Sequence, residues 1–551
     1  SGIQYRKGPY LVRDGDFTTA GSANISYASV LDGTIARVDG GSFDYLRGLI
    51  AGSPKVGEGH LLYALEGVFS NGPWEKGDDS RKYNGVLRYS IGDAPSRFAV
   101  TAMGYQADWD STDQVARRAV DEGQISRFGN LDPTLGGRTH RYSLSGEYQH
   151  SGISSVTRAT AYAVDYELDL FSNFTYFLEH PDTGDQFEQA DDRNVYGVEA
   201  THSWFARMFG VDAENQVGLE GRFDDIHRIG LYRTQARRRL SATREDAVRQ
   251  YSGAVFFQND TPWTRKFRTI LGLRGDLYGF DVTGITIPEN GGSATRAIFS
   301  PKLSMIFGPF GQTEIYANAG CGFHSNDARG ATIRIDPSSG DPVEPVTPLA
   351  RAKAAELGVR SLLLPGWQTT LALWGLDIAS ELVFVGDAGT TEASRPSRRC
   401  GIEWSNYYRI RPWLTLDADL SFSRAHYRDA DPAGDRVPGA VETVIGAGLS
   451  VDDFSGFFGS LRLRYFGPRP LVEDDSVRSP ASTTVNALVG YELVRGLRAQ
   501  LEVFNLMDAR LSDIDYYYAS RLPGEPEGGV ADFHFHPTAP RSARVAVVYG
   551  F

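Results

Sequence analysis

Long apolar runs are missing from this chain. None reaches the ~18 residues that a membrane helix needs, and the mean hydropathy is -0.31, so a helical span is excluded. Cysteine is nearly absent as well: Cys321 and Cys400 are the only two, too few for a disulfide framework. Basic excess is lacking, since 56 Lys and Arg face 69 Asp and Glu for a formal charge of -13, which argues against a nucleic-acid groove. The strongest basic run, Arg237, Arg238 and Arg239, reads as a short solvated loop. There is no Gly-x-Ser-x-Gly elbow, no His-Glu-x-x-His and no phosphate-cradling loop, so neither an enzyme nor a cofactor is expected. No linker divides the 551 residues into the several soluble domains that such a length ordinarily makes. No leader precedes Ser1; an exported protein would have had it removed.

What the chain has is alternation. In "WLTLDADLSFS", Leu414, Leu416, Ala418, Leu420 and Phe422 share one face against Thr415, Asp417, Asp419, Ser421 and Ser423. In "SLRLRY", Leu461, Leu463 and Tyr465 oppose Arg462 and Arg464. Successive inward charges of this kind would be ruinous in a dry sandwich core and suit a wide, wet lumen. Barrel strands need apolar side chains only at alternate positions, which dilutes the hydropathy signal. The 61 glycines, 27 tyrosines and 30 phenylalanines fit many aromatic-rich strands joined by tight turns.

Short and long connections alternate along the chain. Ten short ones occur, among them "GDAPS" (92–96), "FGVDAE" (209–214), "NDTPWTRK" (259–266), "PGW" (365–367) and "RPW" (411–413). Long polar loops fall between them, the largest at about 111–137, 173–192, 324–349 and 512–540. Short periplasmic turns and long extracellular loops mark an outer-membrane barrel. With a first strand near 33–40 and a last at 541–551, the count is a 22-stranded antiparallel transmembrane β-barrel in an all-β fold. Trp263, Trp367 and Trp413 sit in or beside short turns, where a periplasmic aromatic girdle belongs. The last strand must pair with the first to abolish the sheet edge, so its outward face, Val545, Val547, Tyr549 and Phe551, meets outer-membrane lipid. That pattern resembles the signal read by the bacterial barrel-assembly machinery.

A barrel of this width is too wide for its own side chains to fill and is the size of plugged transporters. Here the sequence resembles TonB-dependent outer-membrane receptors over essentially its whole length. "LEVFNLMDARL" is similar to their late-strand motif at Val503, Asn505, Leu506 and Asp508. "LARAKAAELGVRS" is similar to a mid-barrel strand opening at Glu356, Leu357, Gly358 and Arg360. "YRKGPYLVRDGDFTTAGSANISYAS" resembles the end of the plug domain, with a Lys7-Gly8-Pro9 turn and a last short strand, Ala23 to Tyr27. The resemblance thus implies a plug tail at residues 1–30, a barrel at 31–551, and a plug, with its N-terminal TonB box, largely missing upstream of Ser1. It implies active transport: a scarce nutrient, most commonly a ferric siderophore or similar metal chelate, binds the outer loops and plug apex, and the TonB complex delivers inner-membrane energy. The rival is a plugless passive pore or a structural part of an outer-membrane assembly, with a partner lipoprotein open in either case. A plug tail with no plug attached is hard to explain otherwise, which favours the transporter.

Candidate ligand contacts are aromatic and lie at the expected outer rim: Trp109, Phe171, Phe174, Tyr176, Tyr516, Tyr517 and Tyr518, with Phe177 beside them. They offer flat area to a planar ligand, and they equally suit an outer girdle. His324, Asp327 and Arg329 begin a long outer loop, where ligand contact and simple turn formation are both open. His534 and His536 could ligate a metal or a metal chelate, although two histidines make an incomplete site and folding of the last loop explains them better. The acidic stretch "GDQFEQADD" (184–192) is expected to be a solvated loop. Cys321 and Cys400 fall three strands apart, roughly 14 Å at ~4.8 Å per strand, and should stay unbridged.

Overall fold

The computed structural model of the chain describes residues 2–93, 95–208, 210–385, 390–393 and 395–551. Among them, 22 long antiparallel strands close into one barrel, in which each neighbour in sequence is a neighbour in space. Ala94 and Phe209, inside two of the expected short turns, lie outside the described residues. Closure is made by Ile35–Gly41 against Ser542–Gly550, with Val38 opposite Val547. It continues past the ladder, where Thr34 and Phe551 exchange backbone hydrogen bonds of 2.8 and 2.9 Å. Val545, Val547, Tyr549 and Phe551 are all exposed on the outer surface.

The strands differ greatly in height. A tilted strand crosses a membrane in ~9–11 residues, yet Val211–Gln235 and Arg238–Thr264 run for 25 and 27 residues. Their excess rises on the outer side, and it redraws two expected loops. Residues 187–192 belong to the strand Phe187–Met208, with Glu188 paired to Tyr232 in the ladder, so the acidic stretch is a loop only as far as 186. Arg237–Arg239 is exposed, but only Arg237 lies in a loop. Ala236 and Arg237 form a two-residue turn with φ of 49° and 63°, and Arg238 already starts the next strand. The cause is the same in both places: the ladder continues to the tip, so charges that look like loop residues occupy strand faces.

The large outer loops are folded. Val530–Pro537 pairs with Ser512–Ser520 on one side and with Val115–Ala116 on the other, in a small sheet capped by the short helix Arg117–Asp121. The loop after Thr313–Ser325 carries a one-turn helix, Ala328–Thr332, whose Asp327 side chain caps it. Beneath it lies the largest apolar cluster, in which Tyr278, Phe280, Val282 and Phe323 pack against Ala328 and Leu349.

Residues 2–30 form no part of the barrel wall. Gly2–Lys7 pairs with Gly21–Ser26, a strand that starts two residues before the expected Ala23 to Tyr27 and ends one residue before it, and the connecting segment leans on the lumenal wall. Both cysteines are free.

Candidate functional site

Alternation decides which side chains reach the lumen. On Phe267–Gly284, Leu271, Leu273 and Leu277 are exposed outward, whereas Gly272, Arg274, Asp276 and Tyr278 point inward. The inward set meets the N-terminal segment. Arg274 Nη1 donates to the carbonyl oxygens of Val12 and Arg13 at 3.3 and 3.0 Å, while its other nitrogens hold Glu220 and Asp276. Arg13 reaches Glu199 at 2.6 Å, Lys302 donates to Asp14 O, and Lys7 pairs with Glu403. Arg274, Arg13 and Lys7 are thus paired with carboxylates, whereas buried Lys302 meets a backbone carbonyl.

Between this segment and the wall lies a cavity of about 680 Å³, bordered by Arg13, Asp16, Phe17, Arg222, Asp224 and Arg329 among others. Its volume falls within the range of small-molecule sites. Asp327 and Arg329 line its outer end. Their side chains are locked together at 2.6 Å; burial alone would raise the Asp327 carboxyl, but the neighbouring Arg329 outweighs it and holds the pKa at about 2. His324 stands just behind, donating from Nε2 to Ser380 O at 2.8 Å, with its ring 6.2 Å from Phe17. Asp16 ties the two parts together, since its carboxylate accepts from both the backbone N–H and the hydroxyl of Ser325, at 2.6 and 2.5 Å.

The remaining candidates are in other places. Phe174, Tyr176 and Tyr518 belong to the folded outer loops: Phe174 packs on Phe187, and buried Tyr176 donates its hydroxyl to Gln114 O. Tyr518 stacks on His534 at 3.8 Å, and Tyr517 meets Phe533 edge-on; Tyr516 is half exposed. His534 is fully buried, with Nδ1 donating to Asp532 O and Nε2 accepting from Ser520 Oγ. Burial holds its pKa down at about 4, against the opposing pull of Asp532. His536 instead packs on Trp74 and approaches Asp513 at 3.8 Å. Among the described residues no three His, Cys, Asp or Glu side chains gather as a metal centre.

Trp109 and Phe171 line a second recess, of about 730 Å³, bordered by five arginines and five carboxylates. Here Arg237 and Arg239 take the roles that composition hid. Arg237 caps the Phe171 ring and pairs with Asp110, while Arg239 grips Glu188 and covers Tyr232. The sequence carries one signal for the lumenal site that the strand pattern masked. Gly320 and Gly322 interrupt a good strand on its lumenal face, and a glycine inside a strand marks close approach by another backbone.

A family model described as TonB dependent receptor-like, beta-barrel, matches residues 69–506. The chain belongs to the TonB-dependent receptor family. Its barrel is accordingly a bacterial outer-membrane barrel, of a family of transport receptors rather than enzymes. It is similar to the metal-pseudopaline receptor CntO of Pseudomonas aeruginosa, at 24% identity over 290 residues, which is 50% of this chain and 39% of that receptor. The chain thus matches well under half of that receptor's length. In fold it resembles the ferric yersiniabactin uptake receptor FyuA from Yersinia pestis, with a TM-score of 0.80 and 14% identity over 100% of this chain and 85% of that one. It also resembles the siderophore receptor PiuA from Acinetobacter baumannii, with a TM-score of 0.78 and 13% identity over 100% and 86%.

Proposed function

We propose that this receptor takes up a scarce nutrient across the outer membrane, as a small metal chelate such as a ferric siderophore, with energy delivered through TonB. The observation that carries the reading is the lumenal cavity of about 680 Å³, roofed by the Asp327–Arg329 loop and floored by residues 12–17, which grip the barrel wall. A ligand arriving from outside would meet Asp327 and Arg329 first, with buried His324 behind them. Their neighbour Ser325 is bonded to Asp16, so occupancy would be felt by the N-terminal segment directly. Residues 1–30 act in this reading as the last part of a plug, and residues 31–551 as the barrel around it. The metallophore and siderophore receptors among the similar proteins support that substrate class.

The test is uptake of radiolabelled metal chelates by cells making the full-length protein, in the presence and absence of TonB. Saturable uptake of a chelate that stops without TonB is expected. Flux that ignores TonB and rises linearly with concentration would instead establish a passive pore.

A further inference from the structure

The small sheet of the outer cap has two unlike faces. Tyr518 and His534 stack on one of them, whereas Asp515 and Phe535, paired across the sheet, share the other with Phe533. That second face is basic. Arg117 of the short helix lies over the Phe533 ring at 4.0 Å, and Arg127 lies over Phe535 at 4.9 Å while donating from Nη2 to Leu511 O at 2.6 Å. Arg469, from the loop at 467–481, and Arg510, from the segment after Leu497–Phe504, complete the border of a recess of about 250 Å³. Its four arginines thus come from three outer segments far apart in the chain. No lining residue lies on the lipid face of a barrel strand: Ser482 alone belongs to such a strand, and it alternates with the exposed Val489 and Tyr491. The recess shares no lining residue with the lumenal cavity.

In a chain of formal charge -13, this recess is positive. Two carboxylates face the four arginines: Asp121 is exposed, and Asp515 Oδ2 meets Arg469 Nη2 at 3.4 Å. Among the described residues Arg117, Arg127 and Arg510 make no ion pair. Burial and then the approach of Arg510 pull the Arg127 guanidinium below its usual range, with Asp515 opposing them. Like charges gathered in this way cost free energy unless an anion joins them.

Asp515 narrows the choice of anion. The residue is 5% exposed, and its Oδ1 is buried without a hydrogen-bond partner, which is costly unless a donor arrives. An anion with no proton would be repelled by that oxygen; one that also carries an O–H binds the arginines and donates to Asp515. Inorganic phosphate keeps a P–OH at neutral pH. Sulfate has none, and a phosphate monoester, with a second pKa of about 6, is mostly a dianion without one at pH ~7.5.

We infer that this recess binds inorganic phosphate, held by Arg117, Arg127, Arg469 and Arg510 and donating its P–OH to Asp515 Oδ1. Bound phosphate would tie the helix Arg117–Asp121, the 467–481 loop and the last loop together. The site is separate from the transport reading and stands or falls without it.

Isothermal titration calorimetry of the detergent-purified full-length protein with sodium phosphate at pH ~7.5 tests this, with sulfate and methyl phosphate as rival probes. Phosphate should bind, and both rivals should be weaker by about tenfold or more, the worth of one charge-assisted hydrogen bond. Asp515→Asn, whose amide both donates and accepts, should bring the three anions within about threefold of one another. R510Q, at an exposed position, should weaken phosphate while heat-modifiable gel migration shows the barrel intact. Equal affinity of the wild type for phosphate and sulfate would overturn the proposal. Phosphate binding that survives unchanged in R117Q/R510Q, or no binding at millimolar phosphate, would overturn it as well.

Discussion

Pro9 lays its carbonyl oxygen over Gly320 so closely that a methyl group at 320 would begin 2.5 Å from it. Gly322, one lumenal position further, would place a methyl 2.9 Å from the Pro9 ring and 3.0 Å from Thr18 O. The wall is therefore hollowed for the N-terminal segment by two missing side chains. Gly320→Ala is expected to leave the barrel intact, because alanine is harmless on a wet strand face, and to lift residues 8–10 off the wall. Hydrogen exchange should show faster exchange around Gly8, whose N–H bonds to Ala20 O. Unchanged protection there would refute the fit.

Arg274 has a different task. It satisfies two carboxylates and two backbone carbonyls at once, so removing it strands buried Asp276 and the Val12 carbonyl together. Breaking a buried pair in this way costs ~3–5 kcal/mol. Arg274→Ala should therefore release residues 12–16 to proteolysis while the barrel keeps its heat-resistant fold. Arg274→Lys, which cannot bridge the two carboxylates in the same plane, should recover less than half of the protection.

Much of this architecture can be read from the residues, and the reason is periodic. Alternation over "WLTLDADLSFS" and the spacing of turns such as "RPW" are local signals, and a closed antiparallel barrel obeys them strand by strand. The site is less legible because its contacts are long-range. Asp16 meets Ser325 across 309 residues, and nothing near either residue announces the other. Arg237–Arg239 reads as loop because charge density alone cannot show that the ladder runs to the hairpin tip. Tyr176 and Tyr518 look like free aromatic surface in the sequence, yet the last loop folds back as a sheet and buries one against Gln114 and stacks the other on His534.

The Asp16 contact yields a prediction about communication. Asp16→Asn keeps the shape but removes one acceptor, and a neutral amide holds Ser325 less firmly than a carboxylate, for which charge-assisted bonds are worth roughly 1.5–3 kcal/mol. Chelate binding at the outer loop should change by less than about threefold, while energised uptake should fall about tenfold or more. The split between binding and transport is the informative quantity. Equal losses in both would assign Asp16 to holding the loop rather than to coupling.

His534 makes the outer cap sensitive to acid. Its neutral form is fixed by Asp532 O and Ser520 Oγ, it stacks on Tyr518, and Arg118 lies close enough to disfavour a second positive charge. With a folded pKa of about 4 against the ordinary 6.5, the open cap binds protons more readily than the closed one between those values. Closure is therefore fully stable above pH ~6.5 and weakens as pH falls toward 4, by an amount on the order of 3 kcal/mol at most. Asp113, raised to about 6 by burial and only partly offset by hydrogen bonds from Asn173 and Ser172, works the other way over part of that range. The two are separated by comparing wild type with His534→Gln, whose amide stays neutral. Exchange of the Ser512–Ser520 strand, corrected for intrinsic rates, should rise in the wild type below pH 6 and stay flatter in the variant. An imidazole resonance of His534 titrating near 6.5 would show that the ring is open to water, and the acid dependence of the cap would then not come from His534.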